Sequence, residues 1–257
     1  MSRYDIRTPR LYVDTPLASG TAVTLAASQA HYLLHVLRLK AGEPVLLFNG
    51  REGEWRARLV SPGKRTVSLT VEERTREQTA PVDLHFWFAP LKHSRLDYMA
   101  QKAVEMGASR LQPVITRHTQ VARVNLDRMR ANAIEAAEQC GILTLPDIGA
   151  PLSLEQAVAK REAGRLLIFC DEDAEVANPV AALQGARKHQ GTGQVPLALL
   201  VGPEGGFAQE ERAALLRAPT VLRLALGPRI LRGDTAAVAA LALVQAVLGD
   251  WKNSQGN

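Results

Sequence analysis

The chain has 257 residues with 31 Lys+Arg against 26 Asp+Glu, a net charge of +5, and is 46% hydrophobic and 22% charged. That composition is globular and long enough for one large core or two modest ones; it excludes disorder, collagen and coiled coil as whole-chain readings. The longest uncharged apolar stretch, residues 235–249, falls short of the ~18–20 residues a membrane span needs, so no membrane association is expected. The start, Met1 to Arg7, carries charges with no apolar segment behind it and does not read as a secretory signal, which makes a cytoplasmic protein the expectation. Cys140 and Cys170 are too few for a disulfide framework or a thiolate metal site, so a reduced compartment and no metal are expected.

The first 75 residues read as short strands with tight turns. Residues 10–13 and 21–25 are strand candidates, and 44–48 run into the hairpin signal Asn49-Gly50. Residues 55–60 alternate, Pro62-Gly63 turns the chain, and Val67, Leu69 and Val71 place one apolar face at period two. One helix interrupts them: Ser28 is a candidate cap for a segment running to Arg38, with Gly42 just past its end. The pattern is a small β-barrel with one inserted helix. Residues 72–81, dense in charge and closed by Pro81, read as a linker.

The remainder changes character. Apolar runs at 84–88, 111–115, 166–169, 197–201 and 221–224 alternate with helical segments at 96–106, 126–140, 154–162, 209–217 and 235–248. Such alternation predicts an α/β domain, a parallel sheet covered by helices on both faces. The expected domains are therefore 1–75 and 82–250.

Charge is uneven along the chain. Residues 1–80 hold 12 Lys+Arg and 8 Asp+Glu, a net of +4, whereas residues 81–257 hold 19 and 18, a net of +1. A modest positive field over a small domain suggests a polyanion partner such as RNA; a mildly basic solvated surface is the plainer alternative.

Two glycine-containing strand ends carry the chemistry. Gly202-Pro203-Glu204-Gly205-Gly206-Phe207 lies between the apolar run Leu199-Leu200-Val201 and a helix, where glycines let a ligand approach the backbone and amides face it. The location and the lack of Gly-Lys-Ser/Thr exclude a Rossmann fingerprint and a P-loop; the alternative is a tight turn without ligand. Close behind follows Leu226-Gly227-Pro228-Arg229-Ile230-Leu231-Arg232-Gly233-Asp234-Thr235, in which Asp234 or Thr235 is a candidate cap for an Ala-rich helix. Two such loops in succession suggest one shared pocket.

These residues resemble the SPOUT class of S-adenosylmethionine-dependent RNA methyltransferases, and the motif order resembles the RsmE family, which methylates uridine N3 in 16S rRNA. The likeness extends over nearly the whole chain. It includes His31-Tyr32-Leu33-Leu34-His35-Val36-Leu37-Arg38 with Gly42, Gln101-Lys102-Ala103-Val104-Glu105-Met106-Gly107, Glu135-Ala136-Ala137-Glu138-Gln139-Cys140-Gly141 and the two glycine loops. It implies a PUA-like barrel, a parallel-sheet domain with a C-terminal trefoil knot, a homodimer, 16S rRNA within the small subunit as partner, and S-adenosylmethionine as cofactor. The cofactor residues it implies are Leu200, Val201, Gly202, Pro203, Glu204, Gly205, Leu226, Gly227, Arg229, Ile230 and Leu231. Three departures stand out: Arg232-Gly233-Asp234-Thr235 where Arg-x-Glu-Thr is usual, Ile142 where Arg is common after Gln139-Cys140-Gly141, and Thr116-Arg117-His118-Thr119, in which His118 receives no role.

Methyl transfer to uridine N3 needs alignment of donor and acceptor, loss of the N3 proton, and stabilisation of charge developing on the uracil. Arg232 is the candidate cation and Asp234 the candidate proton acceptor or orienter of that Arg. Because N3 is on the pairing edge, the target must be unpaired or extruded. Arg10, Arg38, Lys40, Arg51, Arg56 and Arg58 are candidate phosphate contacts on the barrel, with Arg56 and Arg58 on one strand face. His31 is a further RNA-contact candidate, although it and His35 are equally readable as surface or packing residues. A SPOUT enzyme of another RNA specificity and a non-catalytic RNA-binding assembly protein are the alternative functions.

Overall fold

The computed structural model describes residues 5, 7–60, 66–92, 94–121, 123–174, 178–189 and 195–251. The turn expected at Pro62-Gly63 lies outside them. Backbone contacts divide the chain into two compact units, Met1–Ala80 with Ile134–Leu145, and Pro81–Ala133 with Pro146–Asn257.

The first unit is a five-stranded sheet of β1 (Arg10–Tyr12), β2 (Ala22–Thr24), β3 (Pro44–Phe48), β4 (Glu54–Leu59) and β5 (Ser68–Arg76), in the order β1-β3-β4-β5-β2. Only β1 and β3 run parallel. Alternate residues of every strand, among them Leu11, Val23, Val45, Leu47, Ala57, Leu59, Leu69 and Val71, meet in one buried cluster, so the sheet curls around its apolar face. Register shifts between Glu54 and Trp55 and between Arg56 and Ala57 add to that curl. The β3–β4 connection is longer than the two-residue hairpin that Asn49-Gly50 suggests. Asn49 Oδ1 accepts from the N–H groups of Arg51 and Glu52 at 3.0 and 3.1 Å. Gly53, at φ +83°, closes the loop where a Cβ would stand 2.3 Å from the Arg76 carbonyl.

Two expectations for this unit are corrected. The helix begins earlier, with Ala26 rather than Ser28 at its cap: α1 spans Ala27–His31 and passes into a π-helical turn, Tyr32–Val36, closed by Leu37 N–H donating to the Tyr32 carbonyl at 2.9 Å. The charged stretch from Glu72 is not a linker until after Arg76, because β5 continues to that residue. Its charges pair across strands, Arg56 with Glu73 and Arg58 with Glu72, which is why a polar run remains a strand.

The second unit carries β6 (Leu84–Phe88), α2 (Ser94–Glu105), β7 (Arg110–Ile115), the start of α3 (Leu126–Cys140), β8 (Asp147–Ile148), β9 (Leu152–Ser153) and α4 (Leu154–Ala159). These are followed by β10 (Leu166–Cys170), α5 (Pro179–His189), β11 (Leu197–Val201), α6 (Gln209–Arg217), β12 (Val221–Leu224) and α7 (Gly233–Val247). All ladders are parallel, in the order β12-β10-β11-β6-β7-β8 with β9 also on β7. One face packs Trp87, Val114, Leu167, Phe169, Ala198 and Leu200 against Leu154, Ala157 and Leu215 of α4 and α6. On the other helical layer α7 packs with α2 and α5, and Gln245 Nε2 donates to the Met106 carbonyl at 2.6 Å, tying the end of α2 to α7. No helix among the described residues is long and apolar enough to cross a membrane.

The topology decides where a ligand can sit. From β6 the chain first steps to β7, then crosses to β10 on the far side and fills β11 between β10 and β6. In open parallel sheets, ligands bind outside the carboxyl ends of strands near such a reversal.

Candidate active site

The loops leaving β10, β11 and β12 enclose a cavity of about 280 Å³, close to the lower end of small-ligand sites. Its walls are Cys170 to Asp173 after β10, Val201 to Glu204 with Gly206 and Phe207 after β11, and Leu224 to Leu231 after β12; Gly233 and Ala236 of α7 close it. The two glycine loops thus share one pocket. Of the expected cofactor residues, Val201, Gly202, Pro203, Glu204, Leu226, Gly227, Arg229, Ile230 and Leu231 line it.

Two expected cofactor residues are placed elsewhere. Leu200 is buried in the sheet core beside Phe169, as a strand residue whose side chain points away from the loop must be. Gly205 is absent from the cavity wall and faces His118, whose Nδ1 lies 3.1 Å from the carbonyls of both Gly205 and Gly206. Two carbonyls can only accept, so Nδ1 carries the proton and fastens the turn. His118, without a role in the sequence reading, thereby positions the glycine loop. The glycines that the geometry requires are Gly202, where a Cβ would meet the Phe207 ring at 2.8 Å, and Gly206, at φ +67°.

The wall after β10 was missed, and its anchor is Asp171. This buried carboxylate accepts Arg223 Nε of β12 at 2.8 Å and Arg212 Nε of α6 at 3.2 Å. Burial pushes its pKa up, but the hydrogen bonds from Arg212 and Arg223 outweigh that and hold the carboxyl below its ordinary value of 3.8. The charge therefore clamps the strand ends beneath the pocket. Burial and the adjacent Asp171 carboxylate push Cys170 up to about 12, so it is a protonated thiol at neutral pH. An apolar strand ending in Asp171-Glu172-Asp173 is the sequence signal that would have found this wall.

Arg232 and Asp234 flank Gly233, which lines the cavity, but neither of them belongs to its wall. Arg232 is exposed, occupies the N-cap position of α7, and makes no side-chain hydrogen bond or ion pair among the described residues. Neither Asp234 nor Thr235 is the cap, which corrects that expectation; Asp234 lies in the first turn, where a negative charge suits the helix N-terminus. Among the described residues, the Asp234 side chain accepts only the adjacent Thr235 N–H, at Oδ1 and 2.9 Å. Ile230 is 88% exposed beside them.

The basic residues of the first unit separate into three kinds. Arg10 is a correction: instead of facing solvent it is buried, donating from Nε to the buried Glu54 at 2.7 Å and from Nη1 to the Glu138 carbonyl at 3.2 Å. Arg51, Arg56 and Arg58 are at the surface but paired, respectively with Asp14, Glu73 and Glu72. Arg38, at φ +58°, and Lys40 are exposed with no side-chain partner among the described residues. His31 is exposed, with its ring 4.9 Å from that of His35, and Val36 and Leu37 expose apolar surface next to them.

Family comparison bears directly on this pocket. Residues 78–245 match the RNA methyltransferase domain family, and residues 25–72 match the RNA methyltransferase PUA domain family. The chain belongs to the RNA methyltransferases of the RsmE family. It is 30% identical over 237 residues to ribosomal RNA small subunit methyltransferase E of Rickettsia conorii, covering 92% of this chain and 94% of that one. The corresponding Synechocystis protein is 32% identical, with 93% and 78% covered. Among solved structures, ribosomal RNA small subunit methyltransferase E from Neisseria gonorrhoeae bound to S-adenosyl methionine superposes with a TM-score of 0.83 at 28% identity, covering 95% of this chain and 100% of that chain. A putative methyltransferase from Legionella pneumophila, in complex with the same cofactor, gives 0.77 at 29% identity, with 93% and 98% covered. The fold expected from the sequence, a PUA-like first domain and a parallel-sheet methyltransferase domain, is the fold of this family.

Proposed function

We propose that this protein transfers a methyl group from S-adenosylmethionine to N3 of a uridine in 16S rRNA. The observation that carries the reading is the single pocket built by both glycine-bearing loops at the carboxyl ends of β11 and β12, in a chain whose S-adenosylmethionine-bound relatives align over nearly its full length. The residues present suit that cofactor. Leu224, Leu226 and Ala236 offer apolar walls for an adenine, the glycine loops offer backbone groups for its polar edge, and Glu172 and Asp173 supply negative charge toward a cation. The cofactor supplies an electrophilic methyl group on a sulfonium.

Arg232 donates its planar guanidinium to a uracil oxygen, where charge accumulates as N3 loses its proton. Asp234 either accepts that proton or orients Arg232, which leaves the N3 lone pair available to the methyl group that a bound cofactor would supply. On the first unit, Arg38, Lys40 and His31 form the leading RNA contacts, and Arg51, Arg56 and Arg58 exchange carboxylate partners for phosphates at a cost. Arg10 is withdrawn from that set. The knotted path of the strand-end loops, the homodimer, a ribosomal-subunit substrate and a cytoplasmic setting belong to the same proposal.

Mass mapping of 16S rRNA from cells with and without the gene tests it. Loss of one methyl on a uracil base is the expected result. A lost ribose methyl, a lost guanine methyl in tRNA, or no lost methyl would instead favour another RNA specificity or a non-catalytic protein.

A further inference from the structure

A second cavity, of about 380 Å³, lies between α2 and the start of α3 within the methyltransferase unit. Its apolar surface comes from Leu91, Leu96 and Met129, and its polar rim from Lys92, Arg123 and Arg128. The charges are not equivalent. Arg128 is neutralised by Asp97, to which it donates from Nε at 2.9 Å and from Nη2 at 2.6 Å. Lys92 and Arg123 are exposed and make no side-chain hydrogen bond or ion pair among the described residues. The cavity therefore combines an apolar bed, two unneutralised cations and the side-chain amides of Gln120 and Asn132, the chemistry of a site for a base with its phosphate.

Its position gives that chemistry a use. Leu91 lines the cavity and packs on Gly233, where a Cβ would stand 3.3 Å from Leu91 Cδ2. Gly233 itself closes the cofactor pocket and separates Arg232 from Asp234. One side chain thus divides the second cavity from the proposed reaction centre. A shallow recess lined by Lys92, Gln120, His118, Pro203 and Glu204 links the cavity rim to the glycine loop.

We propose that this second cavity binds the nucleotide adjoining the target uridine, its base on Leu91, Leu96 and Met129 and its phosphate on Lys92 and Arg123. The inference rests on the RNA methyltransferase reading above and adds a place in the catalytic domain that holds the strand. A neighbour anchored here leaves the target base on the far side of Leu91, facing Arg232. Asn132 Nδ2 is held by Asp97 Oδ1 at 2.7 Å, so Gln120 and the Oδ1 of Asn132 give the site a means to discriminate one base from another.

The test uses the full chain and nucleoside 5′-monophosphates, read by the methyl resonance of Met129, which Met129→Leu assigns among the four methionines. At least one of the four monophosphates is expected to shift that resonance with millimolar affinity, and the matching nucleoside to bind at least tenfold more weakly. The double variant Lys92→Gln/Arg123→Gln is expected to lose at least tenfold in that affinity and to keep wild-type S-adenosylmethionine binding. Its RNA-binding salt slope should fall by about 0.7, the contribution of the one single-strand phosphate contact that is lost. No shift at Met129, an equal shift in the double variant, or a shift by inorganic phosphate as strong as by any nucleotide overturns the proposal. Failure of the two readings is separable: a protein that binds cofactor and methylates 16S rRNA with a silent Met129 loses only the second cavity. One whose Met129 responds to nucleotides but which modifies no rRNA loses only the proposed reaction.

Discussion

Replacing Glu54 by Ala should unfold the first unit far more readily than replacing any of its surface acids. The Arg10 and Glu54 side chains are 5% and 3% exposed and meet at 2.7 Å. Glu54 also accepts Thr75 Oγ1 at 2.9 Å and lies 3.4 Å from Arg76 Nη1. Removing the carboxylate leaves a buried guanidinium whose remaining acceptors, the carbonyls of Asp5 and Glu138, carry no charge. Breaking a buried pair in this way costs about 3–5 kcal/mol, whereas exchanging both partners for apolar residues of similar volume is often close to neutral. Urea denaturation followed by circular dichroism should therefore give Glu54→Ala a loss of about 3–5 kcal/mol, and Arg10→Met/Glu54→Leu a much smaller one. The double variant also decides between structure and RNA: because Arg10 is inside, its removal in a folded protein should leave the salt dependence of RNA binding unchanged. A loss below about 1 kcal/mol in Glu54→Ala, the range of exposed pairs, or a shallower salt slope in the double variant, would refute the assignment of Arg10 to the core.

Three further outcomes are expected. Gly202→Val should lower S-adenosylmethionine affinity at least tenfold by calorimetry, because the added carbons compete with a Phe207 ring already set edge-on against Phe169, while Gly205→Ala, whose Cβ meets His118 at an ordinary 3.4 Å, should change it little. Arg232→Ala should lower kcat for rRNA methylation about 10²–10³-fold with cofactor affinity unchanged, Asp234→Glu should retain activity, and Asp234→Asn matching wild type in single-turnover assays at several pH values would exclude a proton-accepting role. Asp171→Asn should be less stable than wild type at pH 7, and since the folded pKa of Asp171 lies below 3.8, the difference should persist at higher pH and close as pH falls below that value; a gap that stays constant down to pH 2 would contradict the clamp.

The parallel-sheet unit was largely legible because its signals are local. The runs 84–88, 197–201 and 221–224 coincide with β6, β11 and β12, and α3 and α6 occupy the expected 126–140 and 209–217. Strands buried on both faces are continuous apolar runs, and such runs survive in sequence whatever surrounds them. The small strands β8 and β9, two residues each, carry no periodicity to read. Helix α5 did leave a signal, Asn178 before Pro179: Asn178 Oδ1 caps the N–H groups of Val180 and Ala181 at 3.0 and 3.1 Å. In the curled sheet the obstacle was different. The carboxyl half of β5 is held by partners 14 and 17 residues away, Glu72 to Arg58 and Glu73 to Arg56, so its strand character exists only once β4 lies beside it.

Charge misled the site reading for the same reason that it informed the domain reading. An excess of four positive charges in residues 1–80 is a property of composition, but which cations are free depends on tertiary pairing. Arg10 spends its charge on Glu54, and Arg56 and Arg58 on Glu73 and Glu72, whereas Arg38 and Lys40 beside the π-helical turn have no such partner among the described residues. In the second unit 19 Lys+Arg stand against 16 Asp+Glu, and Lys92 and Arg123 stand unneutralised around one cavity while Arg128 beside them is cancelled by Asp97. A strand of RNA responds to those local residues of charge, not to the sum, because fields are screened over about 8 Å at physiological salt. The first unit therefore need not be the only electrostatic anchor, and the methyltransferase unit has the means to hold the nucleotides next to its own proposed reaction centre.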